Sequence, residues 1–134
     1  MENFNQQIID EFRSHHGKVT GYFENSDLLL LTTKGAKSGK ETTTPVVYSK
    51  DGDRLVIIAS KGGAPTHPSW YHNLIAHPVI TVEVGTQKFK VRAHHVTGEE
   101  RTRLYNQHAH QYPGFKEYQA KTTRVIPVFV LERI

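Results

Sequence analysis

LLLLTTKGAKSGKETTTPVVYS, residues 28–49, decides the fold of this chain. Its first six residues are a short run of apolar and β-branched side chains, the composition of a strand. TTTPVVYS (42–49) reads as a second strand. KGAKSGK (34–40) between them is a tight glycine-bearing turn, so the two strands are expected to pair antiparallel. Pro45 lacks the N–H that a central ladder needs, which places the second strand at an edge or a bulge.

The same grammar continues downstream. Asp51-Gly52 is a hairpin signal, and RLVIIAS (54–60) is a third strand, apolar enough to be buried on both faces. SKGGAPTHPSWYHN (60–73) leads through a glycine hinge into a short helix over 68–76. Thr66 or His67 is its expected cap, Pro68 suits its first turn and Pro78 stops it. VITVEVG (79–85) and QKFKVRAHHV (87–96) form a hairpin about Gly85-Thr86, the second strand with one wet face. Thr97-Gly98-Glu99-Glu100 reads as a capping box for a helix to about Gln111, ended by Pro113-Gly114. A short helical piece follows, then VIPVFVLER (125–133) as the closing strand. Upstream, Phe4, Ile8 and Phe12 mark one face of a helix over 3–16 that Gly17 ends. That face packs on the body; contact with a membrane or a partner is the alternative. The expected class is α+β, mainly β: a split or closed barrel of about six mostly antiparallel strands with peripheral helices, one domain over 1–134.

Composition narrows the function. The chain has no cysteine, so disulfides, a thiolate nucleophile and Cys-ligated metal centres are ruled out. The N-terminus has no secretory pattern and no apolar run nears the roughly 20 residues of a membrane span, so a soluble cytoplasmic protein is expected. Seventeen basic against thirteen acidic residues favour an anionic ligand, while the lack of an aromatic RNA-binding motif or a Lys/Arg run argues against nucleic acid.

Several stretches could carry chemistry. KGAKSGK is either an ordinary basic turn or an anion nest with Lys37 and Ser38 at its tip. SKGG (60–63) stands at the end of a buried strand, a favoured place for function. Together the two Gly-Lys turns point to an anionic ligand. In HPSWYHN, Trp70 and Asn73 share a helix face, a lining for a planar heterocycle; the alternative makes Trp70 a core anchor. Tyr112, Phe115 and Tyr118 either line a pocket or pack down. The nine histidines do not converge: His67, His72 and His77 are five apart, His94 and His95 point to opposite faces, and His108 and His110 are two apart on a helix, so no metal is expected. There is no GxSxG elbow and no paired acid, so any reactive group belongs to an organic cofactor.

LLLLTTKGAKSGKETTTPVVY, IIASKGGAPTHPSWYHNLIAHP and YPGFKEYQAKTTRVIPVFVLE, in this order and spacing, resemble the deazaflavin-dependent nitroreductase family from about residue 28 onward. The resemblance implies a split barrel, binding of reduced coenzyme F420, and hydride transfer to a quinone, a nitroaromatic or another activated acceptor. It assigns Lys37 and Ser38 to the cofactor's phosphate and oligoglutamate tail, and Ala59, Ser60, Lys61 and Gly62 to the ring and phosphate. Ser69, Trp70 and Asn73 complete the cofactor groove, and Tyr112 and Tyr118 stand at the acceptor pocket. Ser60 and Tyr112 are the expected hydrogen-bond donors to the acceptor oxygen, with Tyr118 grouped beside them as catalytic. Ala36 stands where relatives often carry arginine. Thr42, counted with the cofactor contacts, stands where some carry a basic residue. Phe115 stands where relatives with nitroreductase activity can have tyrosine, and Ser69 where some relatives have methionine. Two other readings remain open: an FMN-dependent oxidoreductase on the same barrel, and a non-catalytic flavin carrier. A homodimer is a further expectation.

Overall fold

The computed structural model describes residues 4–134, apart from the Tyr22 side chain; residue 3, the expected first residue of the N-terminal helix, lies outside them. Six strands form a closed barrel in the order β1-β2-β3-β6-β5-β4. They are β1 (Leu28–Lys34), β2 (Glu41–Asp51), β3 (Arg54–Ile58), β4 (Val79–Val84), β5 (Gln87–Val96) and β6 (Val128–Arg133), and every neighbouring pair is antiparallel. The helices are α1 (Phe4–Ser14), α2 (Ser69–Ala76), α3 (Gly98–Gln111) and α4 (Gly114–Ala120).

The apolar runs are continuous because their strands are buried on two faces. Leu29 and Leu31 of β1 and Leu55 and Ile57 of β3 point into the barrel with Val82, Val91, Phe129 and Leu131. Leu28 and Leu30 face outward under Ile8, Ile9 and Phe12 of α1. Val56 and Ile58 face outward under Leu104, Tyr105 and Ala109 of α3. Alternation along each strand thus feeds two cores at once. Among the described residues no helix is long and apolar enough to cross a membrane.

Pro45 lies opposite Leu30 in the half of β2 that pairs with β1 alone; β2 meets β3 only from Tyr48 onward. Its missing N–H therefore falls on a free edge within the barrel, as the proline rule requires. That splayed half of β2 opens a groove.

The structure corrects some details. The cap of α2 is Pro68, with no side-chain hydrogen bond, in place of Thr66 or His67. Thr66 Oγ1 lies 3.4 Å from Lys61 Nζ and His67 Nδ1 lies 2.9 Å from Arg124 Nη1, so both are engaged elsewhere. Thr97 does occupy the N-cap of α3, but its side chain makes no capping bond. β3 ends at Ile58 and β6 begins at Val128. The approach to β6 is held off the ladder by other partners: the Ile126 N–H donates to Gln119 Oε1 (3.1 Å) and its carbonyl accepts from Arg101.

A histidine is sealed inside. His108 of α3 is fully buried, with Nδ1 2.7 Å from Ser49 Oγ and Nε2 without a hydrogen-bond partner. Burial pushes its pKa down from 6.5 to about 4. As pH falls, the unfolded chain takes up this proton before the folded one does. Stability is then complete above about pH 6.5 and is lost toward pH 4, by roughly 3 kcal/mol from this group. The double variant Ser49→Ala, His108→Leu should lose that part of the slope when urea midpoints are compared at pH 7 and pH 4.5. Identical pH slopes in the two proteins contradict the account.

Candidate active site

The groove beside the free half of β2 has a volume of about 1240 Å³. Thr42 and Thr44 of β2 form its floor, and Ile9 and Arg13 of α1 flank one end. Ser60, Lys61 and Gly62 at the end of β3, with Ser69 and Trp70 of α2, line one wall; Tyr112, Phe115 and Tyr118 of the α3–α4 junction line the other. Trp70 packs in the barrel core against Phe129, ring centres 6.1 Å apart, and also lines the groove.

Four expected site residues do not line it. Ala59 is fully buried in the barrel core, its N–H bonded to Pro127 and its carbonyl to Arg124. Asn73 is a brace: its Oδ1 accepts from the Ala36 N–H (2.9 Å) and its Nδ2 donates to Thr33 Oγ1 (3.0 Å), tying α2 to the 34–40 turn. Lys37 and Ser38 are exposed on that turn, where Ser38 Oγ accepts from the Lys40 N–H at 3.2 Å. The turn is narrow enough that a Cβ on Gly35 would lie 2.4 Å from Ser38 Oγ.

The loop after β3 has an unusual backbone. Ser60 is right-handed (φ −78°, ψ −38°), whereas Lys61 (φ 47°), Gly62 (φ 63°) and Gly63 (φ 82°) have positive φ. A right-handed residue followed by a left-handed one turns successive N–H groups toward one point, the geometry of an anion nest. A lysine held at positive φ is rare enough to suggest a functional constraint. Gly63 is needed for another reason: a Cβ there would sit 2.8 Å from the Tyr118 carbonyl of α4.

Arg124 holds this loop from behind. Its guanidinium donates to the carbonyls of Ser60 (2.7 Å), Ala64 (2.8 Å) and Ala59 (3.3 Å), and to His67 Nδ1 (2.9 Å). The imidazole can accept only when Nδ1 is unprotonated; desolvation, then the neighbouring Arg124 charge, lowers the His67 pKa accordingly. Gln119 in turn donates to the Arg124 carbonyl at 2.8 Å. Sequence reading passed over Arg124, because nothing local marks an arginine whose partners are carbonyls about 60 residues away.

On the other wall, the Tyr112 hydroxyl donates to the Tyr48 carbonyl (3.1 Å) and accepts from the Asp27 N–H (3.0 Å) and Gln111 Nε2 (3.0 Å). Its single proton is engaged with the Tyr48 carbonyl in this structure. The Phe115 ring stands edge-on to His108 at 4.5 Å and to Tyr118 at 5.1 Å, so the wall is a stacked aromatic unit. Among the described residues no cluster of His, Asp or Glu could hold a metal ion.

A closed antiparallel barrel with one long groove, walled by aromatics on one side and a backbone nest on the other, is the architecture of a protein that holds an extended organic cofactor. The family model described as F420H(2)-dependent quinone reductase matches residues 5–133, and the chain belongs to that family. An F420H(2)-dependent quinone reductase of Mycobacterium tuberculosis is 43% identical over 111 residues, covering 78% of this chain and 72% of the relative. Among solved structures, an F420-H2 dependent reductase is 41% identical with a TM-score of 0.73, covering 79% of this chain and 94% of its own. A structure described as a domain-swapped dimer is 37% identical with a TM-score of 0.75, covering 95% and 93%. Family membership makes the chain an F420-dependent oxidoreductase acting on a quinone.

The two adjacent glycines separate conformational from steric demands. Gly62 has open space around it, so Gly62→Ala should cost about 1 kcal/mol for the positive φ alone. Gly63→Ala also forces α4 away and should cost a further ~1–3 kcal/mol. Denaturant titration of both variants checks this; equal losses contradict the packing of Gly63 on α4.

Proposed function

We propose that the groove binds reduced F420 with its ring against Trp70 and Ser60 and its phosphate at the Ser60–Gly62 nest, and that the quinone enters beside the Tyr112–Tyr118 wall. The observation that supports this reading most directly is convergence: residues from β2, β3, α2 and the α3–α4 junction meet on one cavity of about 1240 Å³, enough for an extended cofactor and an acceptor together. The residues present fit the group. The nest supplies N–H donors for a phosphate, Lys61 adds charge at the same place, and Lys37 on the exposed turn is available to a carboxylate-rich tail.

When bound, reduced F420 supplies a hydride. The protein's contribution is then placement, exclusion of water and stabilisation of charge on the acceptor oxygen. Ser60 is the hydroxyl for the last role: it lines the groove, and no hydrogen bond to its Oγ is found among the described residues. Tyr112 works as a fixed wall whose hydroxyl ties α3 to β2 and to residue 27. Tyr118 and Phe115 complete that wall. Thr42 and Ser69 contribute hydroxyls along the cofactor's length. Nitroaromatics are a second acceptor class under this proposal, since the same wall accommodates any planar electron-poor ring. The domain-swapped relative supports a homodimer as the working assembly. Among the described residues of α1, a membrane contact would use the exposed Phe4 ring, because Ile8, Ile9 and Phe12 are occupied by the barrel.

Separate fluorescence titrations with F420 and FMN test the cofactor assignment. Saturable binding of F420, with FMN at least tenfold weaker, is expected; tight binding of FMN alone overturns it. Ser60→Ala should lower kcat/KM for a benzoquinone acceptor by about tenfold, the effect of one lost hydrogen bond. Tyr112→Phe should leave turnover within about threefold while lowering stability by roughly 1 kcal/mol. The reverse pattern would return the donor role to Tyr112.

A further inference from the structure

We propose that Arg124, outside the groove, sets its affinity for the cofactor's anionic end by fixing the peptide planes of the Ser60–Gly62 nest. The inference rests on the F420 reading of the groove. Its geometric core is the planarity of the trans peptide. In a trans unit the carbonyl of one residue and the N–H of the next point in opposite directions. Arg124 draws the Ala59 carbonyl to Nη1 at 3.3 Å and the Ser60 carbonyl to Nη2 at 2.7 Å. The N–H groups of Ser60 and Lys61 must therefore point away from Arg124. Neither has an acceptor among the described residues, whereas Ala59 N–H is bonded to Pro127, Gly63 N–H to Ser60 and Ala64 N–H to Lys61. Ser60, Lys61 and Gly62 are also the loop residues that line the groove.

Charge adds to orientation. No carboxylate lies within salt-bridge distance of Arg124 among the described residues, and its partners are three neutral carbonyls and an imidazole nitrogen. Its charge is left uncancelled directly behind the nest, partly removed from water, as the lowering of its pKa by desolvation also indicates. A half-buried cation acts on a nearby anion with less screening than a surface lysine does. The planar fork matters as well. A lysine ammonium keeps the charge but cannot address three carbonyls and a ring nitrogen in fixed directions.

Arg124 is thus a positioning residue, and its test separates affinity from turnover. Arg124→Lys should weaken F420 binding by about tenfold and Arg124→Gln by more, both read as Kd by cofactor fluorescence at a temperature where circular dichroism shows each variant folded. At saturating F420, kcat for a benzoquinone acceptor should change by less than about threefold. Raising salt should weaken binding more steeply in the wild type than in Arg124→Gln. His67→Leu, which removes one partner of Arg124 at a half-buried position, should raise Kd by about threefold and guards against loss of fold in the arginine variants. Folded Arg124 variants with wild-type Kd, or an unchanged Kd in His67→Leu, overturn the inference while leaving the F420 reading intact. Failure of the wild type to bind F420 overturns both.

Discussion

β6 must be paired on both edges and buried on both faces, and this constraint organises the molecule. Its residues pair with β3 from Leu55↔Leu131 to Ile58↔Val128 and with β5 from Val91↔Arg133 to Val96↔Val128. Phe129 and Leu131 fill the barrel while Val128 and Val130 lie under α3. Once that strand is seated, the chain just before it is forced across the end of β3, where Pro127 accepts the Ala59 N–H at 2.9 Å. Arg124 is delivered behind the β3 loop as a consequence. Seating β6 and placing Arg124 behind the loop after β3 therefore go together.

The groove exists because β2 is longer than its partner on one side. Residues 41–47 pair with β1 only, so the barrel wall stops there and leaves a concave edge. α1 and the α3–α4 junction roof that edge. The two walls are held differently. The aromatic wall is fixed by the Tyr112 hydroxyl, by the buried Ser49–His108 contact, and by the hydrogen bond from the Tyr105 hydroxyl to the Phe115 carbonyl. The loop wall is fixed by one guanidinium and by the close approach of Gly63 to α4. Rigid support on both sides suits a hydride transfer, where small errors in the distance between donor and acceptor are costly.

Much of this was legible in the sequence, and the reasons are local. Apolar runs bounded by Asp51-Gly52 and Gly85-Thr86 gave strands and hairpins, and a run as apolar as LVIIA correctly implied a strand covered on both faces. The SKGG turn and the tryptophan helix meet on one groove, whereas the KGAKSGK turn lies outside its lining. The sequence is silent where a side chain's partner is distant. Asn73 looks like a ligand residue but braces the 34–40 turn. Tyr112 looks like a donor, yet its proton belongs to Tyr48. Thr66 and His67 look like caps but answer to Lys61 and Arg124. Arg124 itself carries no local signal, since its partners lie about 60 residues upstream and are backbone carbonyls.

The central claim, that the backbone after β3 receives the cofactor's anionic end, is tested most directly by following the amide resonances of the isotopically labelled protein during an F420 titration. The account predicts that Ser60, Lys61 and Gly62 show the largest shifts, with smaller ones on the β2 floor and none at the 85–86 turn on the opposite hairpin. Saturable F420 binding that leaves those three amides unmoved would contradict it.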